Sequence, residues 1–306
     1  MVQPIDFYCS IYEKLQYRDG EISFLMRPLR RLIRKVATWH ITYCWHNRIF
    51  NIKRERHDLI VSLTTFPSRI NIVHLVVLSM LHQTFLPKKI ILWLSKEQFD
   101  KKDLPDSLLS LENEVFEIRM VDGDIRSYKK SYYVLKEYPE DNVLLIDDDL
   151  FYPTDTIEVL LQALKMHPNT VICRYGSIMK YDSGKPMPYN SWWKEIVEPS
   201  EDKNLFFGTG GGTLLSRHLL YDDVDNIELA LSLAPLADDV WMNAMVNMKN
   251  TPKYKIRYGL ILPIYHNSSN TLTSKNVGQS QNDLQILNVR ESYLSNLNID
   301  PFSERK

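Results

Sequence analysis

The fold of this chain is decided by residues 143–153, which read VLLIDDDLFYP. The stretch opens with an apolar run from Val143 to Ile146, a pattern that predicts a buried strand. Three consecutive aspartates, 147–149, follow that run directly, and Pro153 ends any regular continuation because it has no amide hydrogen to donate. The stretch therefore predicts a central strand with a cluster of negative charge at its carboxyl end.

The adjacent carboxylates of Asp147, Asp148 and Asp149 repel one another, and at the mouth of a buried strand that repulsion is poorly screened. A cation would relieve it, and carboxylate oxygens suit Mg²⁺ or Mn²⁺, which commonly take one or two carboxylates together with substrate phosphates. Since open α/β sheets bind ligands beyond the carboxyl ends of their strands, the triplet indicates a metal–phosphate site. The alternative is an acidic turn that caps the next helix, because residues 154–156 also resemble a helix start.

The segment before this strand alternates strands with helices. Strands are predicted over residues 58–65, 89–95 and 116–121, and helices over residues 70–82 and 131–138. Strand, helix and strand at this spacing form parallel units. The sequence therefore predicts an α/β fold with helices flanking the sheet.

Cationic and glycine-rich segments surround the acidic strand. Arg69 follows the first strand and either meets a phosphate or begins the next helix. Lys129 and Lys130 precede the acidic strand, and either one could reach a diphosphate or remain solvated. Gly210 and Gly211 lie in a run of glycines that would let the backbone approach a ligand closely, although the run matches neither a Walker loop nor a Rossmann fingerprint.

Two later segments carry candidate catalytic and metal-binding groups. Asp238 and Asp239 begin a predicted helix, where a carboxylate serves either as a helix cap or as a general base. His266 ends a short predicted strand and is either an ordinary core or surface residue or, given the carboxylate cluster, a metal ligand.

The two ends of the chain differ in character from residues 58–267. Residues 1–57 are predicted to form a basic, amphipathic, helical extension, and residues 268–306 a flexible polar tail. In the extension, apolar residues recur at helical spacing; they are Leu25, Leu29, Leu32, Ile33 and Val36. Cations lie between them; they are Arg30, Arg31, Arg34 and Lys35. Such a helix either lies on an anionic membrane or packs on the main domain with its basic face solvated.

The bulk properties exclude several classes of protein. The formal net charge of −1 and the absence of a nucleic-acid motif argue against nucleic-acid binding. Three widely spaced cysteines argue against a disulfide framework or a cysteine zinc site, and fit a reducing cytoplasm. The sequence shows no signal peptide, and its longest uncharged stretch, residues 70–87, is too polar for a membrane span.

Taken in order, these motifs resemble those of bacterial glycosyltransferases of the GT-A fold, of the family 2 type, over residues 58–267. The resemblance rests on the TTFPSR loop at 64–69, the HQT segment at 82–84, the glycine run at 208–212 and the acidic pair at 238–239, with the aspartate triplet as the Asp-X-Asp motif. It implies a Rossmann-like, mixed, mostly parallel sheet flanked by helices, with the N-terminal extension outside the likeness.

The resemblance also implies a nucleotide-diphosphate sugar donor and a divalent metal, Mn²⁺ or Mg²⁺. By position in the motifs, Asp149 would hold the metal that bridges the diphosphate, and Asp147 would contact the ribose or share the metal. His266 would be a late metal or phosphate ligand. Thr65 and Arg69 would line the nucleotide pocket.

On the acceptor side, the resemblance implies that Asp239 deprotonates an acceptor hydroxyl and that the sugar inverts at its anomeric carbon. The family often shows Glu-Asp at this point, so Asp238 and Asp239 both remain candidate bases. The implied acceptor is a glycan or lipid-linked molecule of bacterial surface polysaccharide synthesis, at the inner face of the membrane. The alternatives are a metal-dependent phosphohydrolase and a non-catalytic protein that binds nucleotides or glycans.

Overall fold

The computed structural model of the chain describes residues 3–18, 21–22, 26–46, 54–193, 198–257, 262–266 and 281–305. Its helices are α1 (Pro4–Gln16), α2 (Arg27–His46), α3 (Val73–Leu81), α4 (Asp106–Leu109), α5 (Lys129–Glu137), α6 (Thr156–Met166), α7 (Tyr189–Trp192), α8 (Ile227–Leu233), α9 (Asp238–Met248) and α10 (Gln281–Leu297). Its strands are β1 (Tyr17–Arg18), β2 (Glu21–Ile22), β3 (Glu55–Thr64), β4 (Phe85–Ser95), β5 (Phe116–Val121), β6 (Asn142–Ile146), β7 (Leu150–Phe151), β8 (Val171–Cys173), β9 (Gly176–Ile178), β10 (Tyr181–Asp182), β11 (Lys185–Pro186), β12 (Leu205–Phe207), β13 (Gly211–Leu215), β14 (Lys253–Lys255) and β15 (Leu262–Pro263).

The core of the described chain is a seven-stranded sheet in the order β14-β8-β13-β6-β3-β4-β5. Strands β3, β4, β5 and β6 are parallel, whereas β13 runs antiparallel to both of its neighbours. The apolar run at the start of the decisive stretch is β6, and its residues Val143–Ile146 are fully buried between β3 and β13. The predicted mixed, mostly parallel sheet flanked by helices is confirmed.

The first two strands of the sheet begin earlier than predicted. Strand β3 begins at Glu55 and β4 at Phe85, because Glu55–His57 and Phe85–Pro87 pair with each other in parallel register. The predicted start of the main domain at residue 58 therefore falls inside β3.

The N-terminal helices pack against this sheet domain with one face. Ile5 of α1 and Ala37, Ile41 and Trp45 of α2 are buried in the same apolar cluster as Leu144 of β6. The Asp6 carboxylate also accepts hydrogen bonds from the backbone N–H and the hydroxyl of Thr154 (2.8 and 2.7 Å). One of the two interpretations of the extension, packing on the main domain, thus holds for one face of α2.

None of the helices in the described part of the chain combines the length and the apolar character that crossing a membrane requires.

The C-terminal region differs from the flexible tail that its polar composition suggests. Residues 281–297 form helix α10, in which Ile286, Val289 and Tyr293 are buried against α8 and α9. These residues stand at i, i+3 and i+7, a helical spacing hidden by the surrounding polar residues. Residues 268–280 of the predicted tail lie outside the described residues.

Candidate active site

Two neighbouring loops form the centre of the site, the acidic triplet after β6 and the glycine run before β13. The backbone N–H of Asp147 donates to the Gly210 carbonyl (2.9 Å). A Cβ on Gly210 would stand 1.8 Å from the Cγ of Asp147, far inside van der Waals contact. Gly210 was predicted to approach a ligand, and in the structure it makes room for this carboxylate. The neighbouring Gly211 opens β13 and pairs with Ile146.

Tyr152 joins these two loops, and its role was not predicted from the sequence. Its fully buried hydroxyl donates to the Gly210 carbonyl (2.5 Å) and accepts from the Asp147 N–H (2.9 Å). Nothing local in the sequence points to this contact, because Gly210 is 58 residues away along the chain. Tyr152 therefore fixes the position of Asp147 relative to the glycine run.

Replacing Tyr152 with Phe should loosen the Asp147 loop, because the Gly210 carbonyl loses a buried donor. We expect the free energy of unfolding to fall by about 1–3 kcal/mol and the KM for the nucleotide ligand to rise. Thermal denaturation and ligand titration measure the two effects. Tyr293→Phe, which removes a buried hydroxyl bound to Asp223 (2.6 Å), should lose similar stability and leave ligand binding unchanged. Equal ligand binding in both variants would contradict the positioning role.

Thr65 and Arg69 meet the acidic triplet from the carboxyl end of β3. The Asp148 carboxylate accepts from the Thr65 hydroxyl (2.5 Å) and from Nη1 of Arg69 (2.6 Å), and Nη2 of Arg69 lies 2.9 Å from Asp149. Asp148 is buried and bonded at both oxygens, so it anchors the loop. The structure thus brings these predicted residues together.

Of the two candidate lysines, only Lys130 reaches the site. Its ammonium lies 2.9 Å from Asp147 and 3.3 Å from Asp238, and so links the two acidic clusters. Burial lowers the pKa of Lys130, but the facing carboxylates raise it by more, and the net pKa is well above its usual value. Lys129 is buried elsewhere and pairs with Asp124.

The acidic pair at the start of α9 lies against the glycine run. The Thr209 N–H donates to Asp239 (2.7 Å), and the Thr209 hydroxyl stands 2.6 Å from Asp239 and 2.8 Å from Asp238. Burial and the neighbouring Asp238 raise the pKa of Asp239 to about 6. Burial raises the pKa of Asp238, but the charge of Lys130 and the hydrogen bonds from Ser127, Thr209 and Lys130 together lower it by more, so the net pKa is below its usual value. The two carboxylates are therefore in different electrostatic states.

The antiparallel pair β7–β15 brings the chain back towards the acidic triplet just before His266. Leu262 pairs with Phe151, and the N–H of Ile264 donates to the Asp149 carbonyl (2.8 Å), which brings the chain back beside the triplet two residues before His266. Burial lowers the pKa of His266, and the nearby cation of Arg69 lowers it further. His266 is therefore neutral at pH 7, the form that ligates metals.

The donor set fits a metal that is shared with substrate phosphates. Among the described residues, no three His, Cys, Asp or Glu side chains converge on a point where a metal could bind, so Asp147, Asp149 and His266 form no all-protein site. Burial and the like charges of Asp148 and Asp147 raise the pKa of Asp149 to about 7, although Arg69 opposes the shift, and a cation bound there would stabilise the ionised carboxylate. Mg²⁺ and Mn²⁺ suit one or two carboxylates completed by diphosphate oxygens.

Comparison with known proteins supports the fold. No family model and no curated protein matches the sequence. The structure of S. aureus TarS 1–349 in complex with UDP-GlcNAc matches with a TM-score of 0.52 and 13% identity, over 80% of this chain and 68% of that chain. The mannosyltransferase PcManGT from Pyrobaculum calidifontis, in complex with GDP-Man and Mn²⁺, matches with a TM-score of 0.48 and 11% identity, over 88% and 76% of the two chains. The TarS match and the sheet order confirm the predicted GT-A-type fold.

Proposed function

We propose that this chain is a metal-dependent glycosyltransferase that moves a sugar from a nucleotide-diphosphate sugar to an acceptor hydroxyl. One observation carries the proposal. In a GT-A-type fold, the acidic triplet and the acidic pair are joined by the buried ammonium of Lys130. Glycosyl transfer needs both: a site for the leaving diphosphate and a base for the attacking hydroxyl.

The acidic triplet is proposed as the donor side. Asp149, with Asp147, would hold Mn²⁺ or Mg²⁺, and the metal would act as a Lewis acid on the leaving diphosphate. Arg69, already within 2.9 Å of Asp149, supplies a fixed cation for the phosphate oxygens. Thr65 keeps Asp148 in place beneath them.

The acidic pair is proposed as the acceptor side. Asp239 is half-buried and raised in pKa, so its carboxylate is a better base than an ordinary aspartate. Asp238 is buried and paired with Lys130, which supports a positioning role. A base opposite the leaving group supports inversion. We propose a glycan or lipid-linked acceptor of bacterial surface polysaccharide synthesis, in the cytoplasm.

The pH dependence of transfer tests the role of Asp239. Because its pKa is about 6, the active carboxylate is lost as the pH falls through that value, and kcat/KM should fall about tenfold for each pH unit below it. Asp238→Asn removes a like charge beside the base, so the pH at which kcat/KM begins to fall, the acidic limb of the profile, should move to a lower value. Asp225→Asn, an aspartate paired with Arg217 outside the site, should leave the limb at about 6. A limb that stays in place in both variants would exclude Asp239 as its source.

The proposed donor class is tested by thermal shift with a panel of nucleotide diphosphates and nucleotide sugars, with and without Mn²⁺. A ligand present at a concentration 100 times its Kd should stabilise the folded state by about 2.7 kcal/mol. We expect one nucleotide to give a thermal shift. This shift should require Mn²⁺ and should be lost in Asp149→Asn. Asp141→Asn, before the opposite end of β6, is the matched control and should keep the shift.

Three results, from the thermal shift and from assays of phosphate release and sugar transfer, would overturn the proposal. No metal-dependent shift with any nucleotide would make the triplet a structural turn. Release of phosphate from simple esters without a sugar acceptor would instead identify a phosphohydrolase. A metal-dependent shift without any transfer would favour a protein that binds nucleotide sugars and does not react them.

A further inference from the structure

Helix α2 has a second apolar face that the described residues leave largely exposed. Its exposed side chains follow the spacing i, i+3, i+7, i+10 and i+14. They are Leu29, Leu32, Val36, Trp39 and Tyr43, with 39, 56, 41, 68 and 53% of their surface exposed. At 1.5 Å per residue, this exposed stripe is about 21 Å long. It lies away from the buried face that packs on the sheet domain.

A band of positive charge borders the exposed stripe. Arg27, Arg31 and Lys35 are exposed and follow one another at i, i+4 and i+8, so they form a row along the same helix. The helix carries five Arg and Lys residues and no Asp or Glu, although the whole chain has a formal net charge of −1. The surface beside the N-terminal part of the stripe, over residues 27–35, is therefore cationic.

Helix α2, which carries the exposed stripe, is bonded directly to the segment beside the candidate active site. Arg34 donates to the carbonyl of Ile264 (3.0 Å), and the Thr38 hydroxyl accepts from the N–H of Tyr265 (3.0 Å), the residue before His266. A groove of about 500 Å³, lined by Trp39, Tyr43 and Tyr265 among others, opens between the helix and this segment. A partner that covers the stripe would therefore lie beside residues 262–266.

We propose that the exposed stripe of α2 seats the protein on an anionic lipid bilayer, with the leucines and Val36 among the acyl chains and Trp39 and Tyr43 at the headgroup level. Leu, Val, Trp and Tyr beside Arg and Lys are the composition of helices that lie in the surface of acidic membranes. If the protein lies on the bilayer, its acceptor is a lipid-linked molecule presented at that surface. This consequence rests on the proposed function.

Two other partners of the exposed stripe, a second copy of the chain and a soluble glycan, account for fewer of its features. A second copy packed on α2 through the same face would bring Arg31 and Lys35 near their own counterparts, and α2 offers no carboxylate to offset them. A soluble glycan could stack on Trp39 and Tyr43, whose rings are parallel and 6.0 Å apart, but it would leave Leu29, Leu32 and Val36 exposed. An anionic bilayer accounts for the apolar stripe and the cations together.

Helix α10 provides a matched control within the same chain. It exposes Leu284, Leu287 and Leu294 to a similar degree (50, 43 and 41%). Its exposed charged residue is Glu291, and its one arginine, Arg290, pairs with Asp300. An apolar surface of this size without cations should not bind anionic lipid.

The test is flotation of the full-length protein with vesicles of phosphatidylcholine alone or mixed with phosphatidylglycerol. We expect binding to the anionic vesicles only. Arg31→Gln with Lys35→Gln should weaken it by about fivefold for each cation removed. Leu32→Gln, Val36→Gln and Trp39→Gln together should weaken it by about tenfold or more. Leu284→Gln, Leu287→Gln and Leu294→Gln together should leave it unchanged.

Separate readouts distinguish a failure of this inference from a failure of the proposed function. The metal-dependent nucleotide shift is measured on every variant without vesicles, and it should persist in the α2 variants. If the unaltered protein binds nucleotide but not vesicles, only the proposed membrane binding of α2 is overturned. Light scattering that shows a dimer dissociated by the α2 apolar variant would also overturn it, in favour of a second copy. Equal losses of vesicle binding in the α2 and α10 apolar variants would show that binding is non-specific adsorption through any exposed apolar surface. That result would also overturn the inference.

Discussion

Replacing Asp239 with Asn should reduce the rate of sugar transfer by about 100-fold or more, because an amide cannot accept the proton of the acceptor hydroxyl. The amide keeps the shape of the carboxylate and an oxygen that can accept from the Thr209 N–H, which is 2.7 Å from Asp239. The loop should therefore stay in place. Removing one of two adjacent carboxylates also relieves repulsion with Asp238, so we expect the fold to be no less stable.

The measurement for Asp239→Asn is product formation at saturating donor and near pH 7.5, with donor binding followed by thermal shift. A large loss of kcat with an unchanged metal-dependent shift is the expected pattern. Asp225→Asn, outside the site, should retain full activity. If Asp239→Asn transfers sugar at the normal rate, Asp239 is not the base. If Asp238→Asn alone abolishes transfer at every pH, the roles of the pair are reversed.

Replacing Gly210 with Ala should weaken donor binding and slow transfer by about 100-fold. The added methyl group would stand 1.8 Å from the Cγ of Asp147, so either the carboxylate or the glycine run must move. Because Asp147 is held by Lys130 and Tyr152, any movement disturbs the acidic triplet and the contact to Asp238 together. A displacement of about 1 Å in such a site costs about 100-fold in rate.

The control for Gly210→Ala is Gly184→Ala in the turn between β10 and β11. Gly184 has a positive φ (76°), and no atom lies within 4 Å of a Cβ built on it. This control should lose stability of about 1 kcal/mol through backbone strain and keep its activity. Full donor binding by Gly210→Ala would show that the loop accommodates the methyl group and that the position of Asp147 is not critical.

Much of the donor side could be predicted because its signals are local in sequence. An apolar run followed at once by three aspartates marks both a central strand and its functional end. Thr65 and Arg69 follow β3 in the same way, and parallel strands bring their carboxyl ends to one edge. Their contacts with Asp148 therefore follow from the topology, although 83 and 79 residues separate them from it.

The choice between equivalent residues could not be predicted. Lys129 and Lys130 are adjacent and chemically identical, but neighbouring positions of a helix point about 100° apart, and only the packing of α5 decides which one faces the site. Asp238 and Asp239 differ for the same reason. One is buried against Lys130, and the other lies at the surface of the site beside Thr209.

The amino-acid sequence by itself determined the α/β class, the central strand, the acidic end of that strand and the amphipathic character of α2, since each depends on the order and periodicity of neighbouring residues. Only the tertiary structure decided that Tyr152 holds Gly210, that Lys130 joins the two acidic clusters, and that α2 buries one apolar face and exposes another. The physical reason is that these contacts depend on which side chains the packing of distant segments brings together, and on how that packing excludes water from each carboxylate.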